Sequence, residues 1–189
     1  MTGANKKVSL MKTMIAVAAL AAASAIAAPA LAQSALGPIS GYANLGYAYT
    51  HSDPINLSAV EGRLGARTTY LGVEGQGNIG VTDDTDSGVK VKLRHEFSGY
   101  AVGFLPIKDT GAELFARVGY GNSAFTAKAA GVTVKDSFDS WNFGGGAQYF
   151  FNHGPNGVRA DYTRHEFTDN GAGHADVWSI SYVRKFGGQ

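Results

Sequence analysis

Cysteine is absent from all 189 residues, so no disulfide framework and no thiolate metal site is open to this chain. Long apolar runs are missing too. Past residue 32 no stretch of about 18 consecutive apolar residues occurs, which excludes a bundle of membrane-spanning helices. Any membrane crossing must be made by strands. An excess of one charge is the third absence. The formal net charge is +1, but Lys6, Lys7 and Lys12 lie in an N-terminal leader, and the remainder carries 13 Lys and Arg against 15 Asp and Glu. The resulting sum of −2 offers no overall basic footprint for nucleic acid or for an anionic membrane surface.

Glycine is plentiful, at 26 residues, and the aromatics are mostly Tyr and Phe, nine and ten of them. This composition suits a β-rich envelope protein. At the N-terminus the three lysines precede an apolar run from Met14 to Ala28 that ends in Ala30-Leu31-Ala32 before Gln33. That layout predicts a signal peptide over residues 1–32, cleaved after Ala32, and one barrel domain over 33–189. A second start at Met11 would leave the signal usable.

Period-two alternation organises the rest. From Gly41 to Thr50, Ala43, Leu45, Tyr47 and Tyr49 alternate with Tyr42, Asn44, Gly46 and Ala48. After a loop over 51–56, a second strand runs from Val60 to Ala66 and a third from Tyr70 to Ile79, where Leu71, Val73 and Ile79 oppose Glu74, Gln76 and Asn78. The acidic run Asp83-Asp84-Thr85-Asp86-Ser87-Gly88 reads as a solvated tip. A fourth strand lies within Val89 to Leu105, with Lys90, Lys92, Arg94 and Glu96 expected on the face opposite Val89, Val91, Leu93 and Phe97. The fifth strand is Ala112 to Gly121, the sixth Ser140 to Phe150 and the seventh Val158 to Phe167. Residues 122–139 between the fifth and sixth read as the longest connection, although Val132 to Lys135 has the alternation to extend a neighbouring strand.

The last stretch, Asp176 to Phe186, places Trp178, Ile180, Tyr182 and Phe186 on one face, with Arg184 among them, and Ser179, Ser181 and Lys185 on the other. A final strand of this kind can close on the first and leave no unpaired edge in lipid. The count is eight strands of about ten residues, with short turns expected on one rim and longer polar loops on the other. The fold class is therefore all-β, an eight-stranded antiparallel up-and-down transmembrane β-barrel.

Opposite the apolar faces stand Glu61, Arg63, Glu74, Arg94, Glu96, Glu113, Arg117, Arg159 and Asp161. Both signs are nearly balanced, and an eight-stranded barrel has an interior that side chains fill, so these residues are expected to pair across a plugged lumen. The five histidines, His51, His95, His153, His165 and His174, sit in no local pattern that fixes a nucleophile, with His165 expected near the outer rim. No catalytic residue, metal ligand or cofactor is assigned. Asp83, Asp84 and Asp86 lack the spacing and closing Glu of a calcium loop. Gly144-Gly145-Gly146 lies mid-strand, where glycine relieves crowding or permits a bend.

The stretches Arg63-Leu64-Gly65-Ala66-Arg67, Tyr70-Leu71-Gly72-Val73-Glu74-Gly75, Tyr100-Ala101-Val102-Gly103, Leu114 to Gly121, Gly157 to Tyr162 and the closing strand resemble the opacity-type and OmpA-like small outer-membrane barrels. The resemblance implies insertion by the barrel-assembly machinery, which in that family looks for an aromatic end to the last strand, here Phe186; Gly187-Gly188-Gln189 extends past it. Wall anchoring of the OmpA kind is not expected. The leading expectation is a non-enzymatic monomer in the outer membrane, in contact with its lipid and lipopolysaccharide, plugged inside and carrying surface loops. The alternatives are a lipid-modifying hydrolase of the same fold and a soluble periplasmic ligand-holding barrel, which would turn its apolar residues inward.

Overall fold

The computed structural model describes residues 38–187 except 54, 87–88, 130–131 and 169–172, and residues 86 and 129 by their backbone only. The expected signal peptide and the last two residues lie outside the described residues. Nine strands form among the described residues: β1 Ser40–Ser52, β2 Ile55–Arg67, β3 Leu71–Gly80, β4 Asp83–Asp86, β5 Val89–Pro106, β6 Ala112–Ala129, β7 Val132–Phe150, β8 Asn156–Phe167 and β9 His174–Phe186. Their order is β3-β2-β1-β9-β8-β7-β6-β5-β4, and β3 also pairs with β5. Every pairing is antiparallel. Eight strands thus make a closed wall, and β4 is a short ninth strand that continues the line of β3 along the far end of β5.

Closure rests on the first and last strands. Gly41 to His51 pairs residue by residue with Phe186 to Asp176, so neither strand presents a free edge. The end carrying Ser40 and Phe186, termed the terminal end, has the turns between β2 and β3, β5 and β6, and β7 and β8. Here Asp109, Asn152 and His153 take positive φ, which Asn, Asp and His tolerate better than most residues, and Gly111 does the same at φ 73°.

Side chains sort by face as alternation in a barrel wall requires. Leu45, Leu64, Ile79, Phe97, Val118, Trp141 and Ile180 are on the outside, Leu45 at 65% exposure, while Glu61, Arg63, Asn142 and Thr163 inside are at 2% or less. This arrangement contradicts the soluble ligand-holding alternative, because water would surround the largest apolar side chains. On the outer face Tyr162 packs on Trp178 with ring centroids 4.8 Å apart, and Tyr120 on Trp141 at 5.3 Å. The Tyr162 hydroxyl donates to Asp176 Oδ1 at 2.6 Å, and the Tyr49 hydroxyl to Asn56 Oδ1 at 2.7 Å. Toward the terminal end the Tyr182 hydroxyl donates to Asn156 Oδ1 at 2.6 Å. Rings that face apolar surroundings while their hydroxyls reach polar groups form two belts, one at each border of the apolar band.

Four sequence expectations need correction. The described residues of 122–139 are not a loop: β6 and β7 run 18 and 19 residues and stay paired up to Ala129 and Val132, a ribbon whose Ala, Ser and Thr residues mute the alternation. The acidic tip contains β4, with Asp83 opposite Lys92 and Asp86 opposite Val89. Most far-end connections are not the longer ones, since strand pairing absorbs much of the expected loops, β2 beginning already at Ile55; the link from Phe167 to His174 stays long, as expected. Finally, β5 contains a bulge: Leu93 pairs with Phe125 and His95 with Ala124, leaving Arg94 unopposed. The extra residue shifts the phase, so Leu93 is interior and Phe97 exterior.

Replacing Leu45 or Val118 by Arg in mid-wall is expected to cost about 2–4 kcal/mol of unfolding free energy in lipid vesicles. Denaturant titration measures it, with Lys108→Gln in the exposed terminal-end turn staying within about 0.5 kcal/mol of wild type.

Candidate functional site

The interior is layered along the barrel axis. Nearest the terminal end, Glu113 accepts from Arg67 Nη1 at 2.5 Å, Gln148 Nε2 at 2.6 Å and Lys185 Nζ at 3.1 Å. Beside these groups lies an apolar cluster of Tyr42, Tyr100, Val102, Phe104, Phe115, Phe150 and Val183. Cations cap its rings, with Arg67 over Phe104 at 3.7 Å, Arg159 over Phe115 at 3.8 Å and Lys185 over Phe150 at 3.5 Å. Glycine makes room for the aromatics. A Cβ on Gly65 would sit 2.3 Å from the Tyr42 ring, and one on Gly119 would sit 2.5 Å from Tyr100. The Gly144 and Gly146 positions are equally closed, each with a β8 carbonyl oxygen 2.1 Å from where a Cβ would stand. Close strand approach accounts for the mid-strand glycine run.

The ionic centre follows. Glu74 on β3 accepts from Arg159 Nη1 at 2.8 Å, Arg117 Nη1 at 3.1 Å and the Tyr42 hydroxyl at 2.9 Å. Asp161 on β8 accepts from Arg63 Nη1 at 2.7 Å and Nη2 at 3.0 Å, and from Arg117 Nη2 at 2.8 Å. Glu61 pairs with Arg63 at 2.7 Å, and Arg117 also donates to the Thr163 hydroxyl. Three guanidiniums face three carboxylates drawn from β2, β3, β6 and β8. Each charge therefore has a partner of opposite sign where water is scarce, the condition under which buried charges are tolerated.

Beyond this centre lies a polar layer of Glu96, Ser98, Ser123, Ser140, Asn142 and His165, and then a small apolar cap of Leu57, Ala59 and Leu93. His165 is 2% exposed with Nδ1 3.9 Å from Glu96 Oε1, so it faces the lumen rather than the rim. The alternation of β8 places it there, in step with Arg159, Asp161 and Thr163. Of the nine charged residues read from the sequence, eight line the interior. Arg94 does not; the bulge leaves it exposed. Arg67 also belongs to the interior: β2 runs one residue past the expected strand end at Ala66, and that last residue turns inward. Trp178, Ile180, Tyr182 and Phe186 all lie on the outer face of β9. A shallow hollow of about 430 Å³ in the outer wall is lined by Leu71, Ala101, Gly103, Ala116 and Val118, and the Arg117 beside it is buried toward the lumen.

The outer membrane protein beta-barrel domain matches residues 18–186. The chain belongs to that family. It is an outer-membrane protein. No curated protein sequence matches the chain. Among solved structures it resembles Ail, the attachment invasion locus protein of Yersinia pestis, in complex with the heparin analogue sucrose octasulfate. There the identity is 16% and the TM-score 0.59, covering 78% of this chain and 99% of that one. It also resembles the N-terminal β-barrel domain of Pseudomonas aeruginosa OprF, at 13% identity and TM-score 0.59 over 78% and 97% of the two chains. Neisserial surface protein A is similar at 12% identity and TM-score 0.53, over 78% and 96%. These likenesses are of fold.

Glu74→Gln removes a carboxylate from Arg117 and Arg159 together, and is expected to destabilise the folded barrel by about 3–5 kcal/mol, measured by denaturant titration. The exposed Arg94→Gln is expected to stay within about 0.5 kcal/mol of wild type.

Proposed function

We propose that this outer-membrane barrel is plugged and non-conducting, and that it works as a structural or interaction protein through its far rim. One observation carries the reading: Glu74 and Asp161 hold Arg63, Arg117 and Arg159 across the lumen, joining four strands at one level. The aromatic cluster on one side of that level and the cap of Leu57, Ala59 and Leu93 on the other add two further obstacles to water and ions. Purified protein in planar bilayers is expected to give no steady channels; large regular conductance steps would overturn the reading.

We read the protein as non-enzymatic. The positions of two of the five histidines support this. His165 is sealed in the lumen, and His51 is engaged with Asn56 Oδ1 at 2.8 Å. Neither arrangement presents an imidazole with an activated hydroxyl to a lipid ester. The competing hydrolase reading predicts an altered lipid A mass spectrum when the protein is present, and the present reading predicts an unaltered one.

In this proposal the barrel is a monomer with outer-membrane lipid and lipopolysaccharide as its surroundings. The barrel-assembly machinery inserts it, with the outward Trp178, Ile180, Tyr182 and Phe186 as the recognised face of β9. The far end, bearing the β6–β7 ribbon, points out of the cell. The lack of cysteine makes this simple to check. A Thr133→Cys variant on the ribbon should react with a membrane-impermeant maleimide on intact cells, and Lys108→Cys at the terminal end should react only after permeabilisation. The reverse pattern would invert the topology.

A further inference from the structure

Charge that sums to almost nothing over the chain is gathered in one place on the wall. At the far end, Lys90 on β5 stands directly opposite Lys128 on β6, and Lys92 stands opposite Thr126, which in turn stands opposite Lys135 on β7. Alternation puts these four lysines on one face of the ribbon, the face away from the interior residues Leu93 and Phe125. Arg94, displaced by the bulge, is exposed immediately below Lys92. Like charges set directly across an antiparallel pair destabilise it. Of these four lysines and Arg94, Lys90 alone has a carboxylate within ion-pair distance among the described residues, Asp83 at 2.7 Å; Asp83 also stands across from Lys92, and the two lysines, Lys90 first, hold its exposed carboxyl below the ordinary range. The other acids nearby are engaged elsewhere: Asp84 accepts from the Asn56 amide, Asp136 from the Ser137 amide and Asp139 from Asn122.

The height of this ridge on the wall indicates what would offset its charge. Along β5, His95 and then Phe97 follow Arg94 on the outside, their rings 5.6 Å apart, and along β6 and β7 the outward aromatics Tyr120 and Trp141 mark the border of the apolar band. Arg94 therefore stands where hydrocarbon ends, with Lys92 two residues above it and Lys135 and Lys128 six and eight residues past Trp141 and Tyr120. A long cationic side chain at that height reaches the headgroup layer, where each Lys or Arg near an anionic surface contributes about 1 kcal/mol. We propose that Lys92, Arg94, Lys128 and Lys135 form a docking ridge for the phosphate groups of the phosphorylated glycolipid in the surrounding leaflet. The ridge ties one side of the barrel to its lipid and neutralises the like-charged rows of the ribbon.

This inference rests on the outward orientation of the far end proposed above, and the test separates the two. Full-length protein folded in neutral detergent micelles is titrated with lipid A carrying its phosphates, and in parallel with dephosphorylated lipid A, with tryptophan fluorescence and native mass spectrometry as readouts. Folding of every sample is checked by heat-dependent gel mobility. Phosphorylated lipid A should bind at least about tenfold more tightly than the dephosphorylated form. The triple variant Lys92→Gln, Lys128→Gln, Lys135→Gln should lose that preference, while Lys108→Gln at the terminal end keeps it. Equal binding of the two lipids by folded wild-type protein, or equal losses in the triple and the Lys108 variants, would overturn the ridge. Inward orientation in the maleimide experiment, with phosphate-selective binding intact, would instead overturn the topology and leave the binding chemistry standing.

Discussion

Hydrocarbon offers no hydrogen bond, so every amide and carbonyl in the wall needs a partner within the wall. The pairing of β1 with β9 and of β3 with β5 supplies the partners that an open sheet would lack. With the ladder closed, strand alternation leaves only two destinations for a side chain. Leu45, Val118 and Ile180 go outward; Arg63, Glu74 and Asp161 go inward. Polarity is thus inverted relative to a water-soluble protein, and the lumen must satisfy its own charges.

The ionic centre does this and also bears on register. Glu74 and Asp161 meet the three arginines only when β2, β3, β6 and β8 stand at one mutual height. A slip of one residue in any of these strands would turn its charged residue toward lipid. Buried ion pairs are weak evidence for net stability, but misregistered alternatives that leave a guanidinium in hydrocarbon are strongly disfavoured. The aromatic cluster and its glycine clearances add a shape constraint at the terminal end, where Tyr42 lies across Gly65 and Tyr100 across Gly119.

Much of this was legible in the sequence because period-two alternation is local. Leu45, Tyr47 and Tyr49 against Asn44 and Ala48 needs no knowledge of partners, and the same holds for Trp178, Ile180 and Tyr182. What stayed hidden depends on pairing. The series Lys90, Lys92, Arg94, Glu96 alternates without a break, yet Glu96 points inward and Arg94 is exposed, because a bulge leaves no trace in one strand's own pattern. The β6–β7 ribbon was obscured by small residues whose facing carries little hydropathy contrast, and β4 by an acidic composition typical of loops. His165 read as a rim residue because its burial follows from the length of β8, which only the partners on β7 and β9 define. The basic ridge was invisible to a net charge of nearly zero; cross-strand register is what assembles it.

The claim beneath all of this is the assignment of flanks, apolar to lipid and ionic to lumen. Paramagnetic relaxation from a nitroxide fixed near the end of the lipid acyl chain tests it most directly, read by NMR on protein in lipid nanodiscs. The account predicts strong broadening of the Leu45, Val118 and Ile180 side-chain signals, with those of Ala59, Val102 and Val183 in the lumen preserved. Broadening of Ala59, Val102 and Val183 with Leu45, Val118 and Ile180 left sharp would contradict it.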